Sequence, residues 1–299
     1  MSVPSRSPEL KSFLLVALGA CLWGCWCLFL RPAGLTGPQS AFLCLAVLSL
    51  PLPFVLRRAP WKDRRATLAL VLHGVFDAAN AALFFAAVQR GPVAIAVLTH
   101  YLAPLLIALA APWLLGERRS SRALLGAPLT LVGLALLLGA PQAGGAAPTT
   151  ALLGAGSAVF FMANVLAAKA AARAYSPLAI TVLHAPVAAL SLLLVFRGEA
   201  LPPVLGPGVL WVAAGSLLCG LVGNTVFNMG LRRVPTTAAS ALTYLEPLTA
   251  ALLGLVVFGE ALGPLALVGS VLVLGCGAWV AAESRPRAAS APTPAPTAT

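Results

Sequence analysis

Two carboxylates stand where an apolar chain ordinarily carries none: Asp77 near the centre of the run Thr67 to Val88, and Glu246 near the centre of Thr237 to Phe258. An ionised side chain at a bilayer centre costs ~2.5–3.5 kcal/mol on insertion scales, so such residues face protein, water or a bound molecule rather than lipid. The chemistry open to them is to pair with an ammonium group or to exchange a proton. The alternative is an acid held permanently neutral and hydrogen-bonded to a neighbouring helix. Glu246 has a further reading, as a residue that stabilises the helix break at Pro247.

Asp77 is not alone on its helix. His73 precedes it by four residues and Asn80 follows by three, so on a helix both share its face with Phe84. Further along, Asn224 and Asn228 are four apart with Phe227 beside them. Their amides can bind a carboxylate or tie helices together, and Asn164 is a further candidate. His100 precedes Tyr101 and Thr243 precedes Tyr244, each pair ahead of a proline, Pro104 or Pro247. A proline frees backbone carbonyls, so Tyr101 and Tyr244 either present hydroxyls to an internal site or pack against a kink. Trp23 and Trp26 lie mid-run, away from the interfacial depth where Trp61, Trp113, Trp211 and Trp279 read as anchors. The first pair suits an aromatic wall or a cation–π face, with lipid-facing packing of one of them as the alternative.

The elements that must position these residues follow from composition. The chain has 299 residues, 60% hydrophobic and 9% charged, and a mean hydropathy of +0.96. Those values belong to an integral membrane protein, and runs this long and continuous span as helices rather than as alternating barrel strands. The spacing predicts ten helices: Phe13 to Leu30, Ala41 to Leu56, Thr67 to Val88, Ala94 to Leu115, Ala123 to Leu138, Thr150 to Ala171, Ser176 to Phe196, Val209 to Gly230, Thr237 to Phe258 and Leu262 to Ala282. The first looks like a signal peptide, but with nine spans behind it is expected to stay as an uncleaved helix.

Sixteen of the 19 basic residues fall on one side of this arrangement, leaving Arg31, Arg90 and Arg197 on the other. By the positive-inside rule both termini are cytoplasmic. The net charge of +11 is then a topology signal, and no nucleic-acid partner is implied. All six cysteines fall within predicted helices, so no structural disulfide is expected. Cys21 and Cys25 share a face that suits close helix packing, with a soft metal as the lesser alternative. No Walker-type glycine loop and no HExxH motif occurs, and no cofactor or metal is expected.

A duplication organises the whole. Arg90 to Glu117 (RGPVAIAVLTHYLAPLLIALAAPWLLGE) aligns without a gap on Arg233 to Glu260 (RVPTTAASALTYLEPLTAALLGLVVFGE), with 11 of 28 positions identical. The match of Gly19 to Arg31 with Gly156 to Lys169 needs a one-residue slip. Five helices per half is an odd number, so the two copies must run oppositely through the membrane, the pattern of inverted repeats that bracket a midplane site. The expected organisation is a cytoplasmic segment 1–12, a first repeat 13–140, an external linker 141–149, a second repeat 150–282 and a disordered tail 283–299. Glu117 and Glu260 close the two copies, each expected to complement the N-terminus of the next helix.

The proline at a helix start, the mid-helix proline, the Gly-Glu pair, Trp23-Gly24, and Phe84 to Pro92 (FFAAVQRGP) together resemble the EamA family of the drug/metabolite transporter superfamily. The resemblance covers Phe13 to Ala282. Many relatives carry an arginine early in the second helix, where this chain reads SAFLCLAVL. The resemblance implies ten helices around a cavity lined mainly by the first, third, fourth, sixth, eighth and ninth, which sets His184 on the seventh aside. It also implies a small-molecule substrate, membrane lipid as the surround, and an inner-membrane location. The resulting expectation is a bacterial secondary transporter that exports an amino acid or related metabolite by alternating access, driven by a substrate, proton or ion gradient. Asp77 and Glu246 are its candidate proton-coupling residues. Efflux of cationic drugs is the second reading. A membrane-embedded enzyme or lipid-handling protein using Asp77 and His73 is a more distant third, for which no nucleophile constellation is evident.

Overall fold

The computed structural model of the chain describes residues 7–90, 93–139, 147–202, 206–259 and 263–283, and every regular element among them is helical. In chain order the segments are α1 (Leu10–Ala33), α2 (Gly37–Leu48), α3 (Arg64–Arg90), α4 (Val93–Leu114), α5 (Ser121–Leu138), α6 (Ala147–Ala171), α7 (Pro177–Ala200), α8 (Pro207–Leu231), α9 (Thr236–Phe258) and α10 (Pro264–Val280). All except the shorter α2 and α10 are long and apolar enough to cross a membrane. Pro92, Glu260, most of the expected 141–149 linker and the tail beyond Glu283 lie outside the described residues.

Side-chain size is distributed as lipid solvent demands. Large apolar side chains point outward, with Phe54 79%, Val256 78% and Trp113 76% exposed, while alanine, glycine, serine and threonine supply much of the buried interior. Lipid tails give no hydrophobic drive for association between helices, so the bundle coheres by close approach of small residues. A Cβ on Gly19 of α1 would lie 2.9 Å from the backbone of Phe227 on α8, and one on Gly74 of α3 would lie 2.7 Å from the His184 carbonyl on α7.

The expected second helix, Ala41 to Leu56, is not continuous. It starts early, at Gly37, because Thr36 and Gln39 form a reciprocal capping box, and it stops at Leu48. The Ser49 hydroxyl bonds the Leu45 carbonyl at 2.7 Å, and Pro51 supplies no N–H, so the chain turns before the short helix Leu52–Leu56. α3 likewise begins before the expected Thr67, where the Asp63 carboxylate accepts from the Ala66 amide at 3.0 Å.

The packing follows the duplication. α3 lies along α6 as α1 lies along α8, and α2 meets α7, α4 meets α9, and α5 meets α10. Exchange of the two halves maps this set of contacts onto itself. Gly116 and Gly259, at matched positions after α4 and α9, take left-handed conformations with φ of 69° and 68°. α4 breaks at Tyr101-Leu102 and α9 at Thr243-Tyr244, both ahead of the matched prolines. α7 breaks at His184, two residues before Pro186, and α8 carries a π-helical stretch at Ser216–Gly223. Each irregularity re-aims backbone or side chains inside the bundle.

Candidate functional site

The densest buried polar cluster joins α3, α6 and α7. Asn164 on α6 donates from its amide to the His73 carbonyl at 3.3 Å and to the Asp77 carboxylate at 3.4 Å. In return its backbone carbonyl is 3.2 Å from His73 Nδ1. The second Asp77 oxygen lies 3.5 Å from His184 Nε2, and the two imidazoles stand 4.3 Å apart. His184 is 3% exposed, while the Asp77 side chain keeps 33%.

Partner chemistry fixes the tautomers. His184 Nδ1 lies 2.9 Å from the Ile180 carbonyl, which can only accept, so Nδ1 carries a hydrogen. A neutral His184 would then face Asp77 with a lone pair on Nε2. The contact is attractive when a proton resides on Nε2 or on the carboxyl, so the geometry admits one proton between the two groups. The break at His184 and the absent side chain of Gly74 allow this approach, because α7 can bring its carbonyl and ring close against α3.

A second polar run joins the two repeats at α4 and α9. Tyr101 and Tyr244, aligned in the duplication, stack with centroids 5.5 Å apart, and the Tyr244 hydroxyl donates to the Tyr101 carbonyl at 2.9 Å. That carbonyl sits at the α4 break, so the hydroxyl takes the place of a helical N–H. The Tyr101 hydroxyl faces the Glu246 carboxyl. Glu246 occupies the first turn of the half-helix Leu245–Phe258, where a carboxylate complements the exposed amides. His100 bonds the Ser157 hydroxyl at 2.9 Å through Nδ1, and its ring is enclosed by Phe84, Phe161 and Tyr101.

A third contact ties α1 to α8. Trp23 Nε1 donates to Asn224 Oδ1 at 2.7 Å, and its ring lies 4.6 Å from Phe227. With its oxygen engaged, Asn224 offers its amide N–H groups to other partners.

The structure therefore brings His73, Asp77 and Asn164 together, and places Phe84, His100, Tyr101, Tyr244 and Glu246 along a second run. Other candidates go elsewhere. Trp26 packs against Gly215 of α8, nearer the start of that helix than Trp23's partners Asn224 and Phe227. Asn228 donates to Thr181 on α7 at 3.3 Å, a tie between helices. Asn80 Oδ1 is buried without a hydrogen-bond partner among the described residues.

His184, set aside in the sequence, is the principal addition. Its signal was a histidine two residues before a proline in an otherwise apolar span. Glu117 also corrects an expectation, since the following helix is capped by Ser120, whose hydroxyl accepts from Ala123 at 2.9 Å. Glu117 instead receives the Thr236 amide on both oxygens at 2.8 Å and the Thr236 hydroxyl at 2.6 Å. It serves the N-terminus of α9 in the other repeat, and its partner in the duplication, Glu260, lies outside the described residues.

Comparison with known proteins agrees with this architecture. An uncharacterized transporter of Archaeoglobus fulgidus is 31% identical over 262 residues, covering 87% of this chain and 92% of its own. The aromatic amino acid exporter YddG of Ancylobacter novellus is 34% identical over 200 residues, covering 64% of this chain and 68% of its own. A solved crystal structure, 23% identical, matches 92% of this chain and 98% of its own with a TM-score of 0.76, which establishes a shared fold. The model of the EamA-like transporter family matches residues 10–139 and again 148–281, two halves that together span nearly all of the chain. The duplicated, helix-paired protein described above belongs to the EamA-like transporter family.

Proposed function

We propose that this membrane transporter exports an amino acid or a closely related metabolite across the bacterial cytoplasmic membrane, by alternating access of two inverted five-helix repeats with both termini inside. Ten spans, with α2 and α10 the short ones, and repeats bounded near 13–140 and 150–282 fit the two family matches at 10–139 and 148–281.

The observation that carries the reading is the cluster of Asp77, His184, Asn164 and His73 inside a lipid-exposed bundle. It offers a partly exposed carboxylate and a geometry that admits one proton shared with an imidazole. A substrate ammonium arriving at Asp77 competes with that proton, which links binding to proton release. Glu246, against Tyr101, is the second candidate for this role. The aromatic side chains of Trp23, Phe84, Phe227 and the stacked tyrosines, gathered on inner helices, suit a substrate with an apolar side chain, and a relative is named an aromatic amino acid exporter. Asn224 and Asn80 supply amide groups suited to a carboxylate.

The paired Trp23 and Phe227 rings, together with the intramembrane carboxylates, also favour a second reading, efflux of lipophilic cations. Growth challenge separates the two. Cells expressing the protein should tolerate toxic aromatic amino-acid analogues that arrest control cells. Tolerance restricted to lipophilic cations would replace amino-acid export with drug efflux.

A further inference from the structure

A recess of about 770 Å³ opens at one end of the bundle, between the start of α1 and the ends of α6 and α8. Five cationic side chains from three stretches of chain converge on it: Lys11, Lys169, Arg173, Arg232 and Arg233. No carboxylate among the described residues lines it, and the Glu117 carboxylate, near enough to Lys169 to attract it, is bound to Thr236. Lys169 is partly committed, since its ammonium bonds the Leu231 and Val234 carbonyls and so fixes one wall. Lys11, Arg173, Arg232 and Arg233 are exposed to the recess and its mouth. Thr225, also in the lining, has a hydroxyl that is buried without a hydrogen-bond partner among the described residues.

The positive-inside rule asks only that basic residues collect on one side of the membrane. It does not ask that they converge from three stretches on one cavity, where they repel one another unless an anion lies between them. Beside these basic residues and the hydroxyls of Ser12, Ser176 and Thr225, the lining is apolar. Leu15, Leu178 and Met229 belong to it, and Leu178 and Met229 are 40% and 45% exposed. A cationic floor beside outward-facing apolar side chains is the lining that an amphiphile with a phosphate head requires, and basic pockets between membrane helices hold such headgroups.

We propose that this recess binds a phosphate-bearing anion, and that an anionic phospholipid is the occupant its lining fits best. The phosphate lies among Lys11, Arg173, Arg232 and Arg233, and acyl chain lies over Leu178 and Met229. Bound there, the lipid ties the start of α1 to the ends of α6 and α8, elements that also carry Trp23, Asn164 and Asn224. The site is separate from the Asp77 cluster, and its test does not depend on the substrate.

The test is native mass spectrometry of the delipidated full-length protein, titrated with phosphatidylglycerol and with phosphatidylcholine of the same chain length. Phosphatidylglycerol should bind at least tenfold more tightly, because each basic residue near the headgroup contributes about fivefold. The double variant Arg232→Gln/Arg233→Gln should lose more than tenfold for phosphatidylglycerol and little for phosphatidylcholine. Displacement by excess glycerol phosphate would assign the site to a soluble phosphate anion, and retention against it would assign the site to the lipid. Equal affinity for the two lipids, or undiminished phosphatidylglycerol binding in a monodisperse double variant, would overturn the proposal. Should that variant not fold, the wild-type lipid preference and its loss at high salt decide the matter alone.

Discussion

The Asp77 carboxylate and the His184 imidazole meet across α3 and α7 at 3.5 Å, with the other imidazole nitrogen held 2.9 Å from the Ile180 carbonyl. That geometry allows one proton between them, and it places the proton on two helices rather than one. A shift of α7 against α3 would therefore change where the proton rests, a direct link between conformation and charge.

Replacement of His184 by alanine should uncouple transport more than it unfolds the protein. Asp77 keeps its Asn164 contact, so α3 and α6 still pack. We expect transport and its response to a proton gradient to fall about tenfold, the size of a typical coupling free energy. Initial rates in proteoliposomes at fixed protein content check this, and unchanged gradient dependence would remove His184 from the mechanism.

Gly74→Ala should act on the same pair from a distance. The added methyl would sit 2.7 Å from the His184 carbonyl and 2.8 Å from Val187 Cβ, so α7 must move away. Overpacking of this kind costs ~1–3 kcal/mol. A lower unfolding temperature in detergent together with weakened gradient dependence is the expected pair of results. Full stability would show that α7 yields without strain.

Tyr244→Phe removes the hydroxyl that bonds the Tyr101 carbonyl and leaves the stacked ring in place. The carbonyl lies at a helix break and loses its partner, so stability should fall by about 1–2 kcal/mol. Thermal unfolding of the purified variant reads this directly, and no change would mean that another donor reaches the carbonyl.

Glu117 offers a graded test. Glutamine keeps an acceptor for Thr236 but loses the charge at the α9 N-terminus, and alanine loses both. Stability should decline in the order wild type, Glu117→Gln, Glu117→Ala, over a total of ~1–2 kcal/mol. An alanine variant as stable as wild type would show that the contact between repeats is dispensable.

Much of this architecture was legible in the sequence because the forces involved are periodic or local. Apolar run length gave most helix positions, and the gapless match of Arg90–Glu117 with Arg233–Glu260 anticipated matched breaks and matched glycine turns. The break after Leu48 does not show in the apolar pattern because Leu50, Leu52, Phe54 and Val55 carry the run past it, whereas the backbone bonding stops. His73, Asp77 and Asn80 were placed by helical spacing on one face. Their partners were not, because Asn164 and His184 lie 87 and 107 residues beyond Asp77, and such contacts depend on which helices pack together. Glu117 shows the same limit. Its chemistry as a helix-terminal carboxylate was readable, but the helix it serves lies in the other repeat.

The most direct test of the central claim is counterflow in proteoliposomes loaded with unlabelled aromatic amino acids, following uptake of the radiolabelled partner with and without an imposed pH gradient, for wild type and Asp77→Asn. The account predicts wild-type counterflow that responds to the gradient, and an Asp77→Asn variant that is folded, inserted and insensitive to it. Wild-type protein that is demonstrably folded yet carries no amino acid, or a variant with full gradient response, would contradict it.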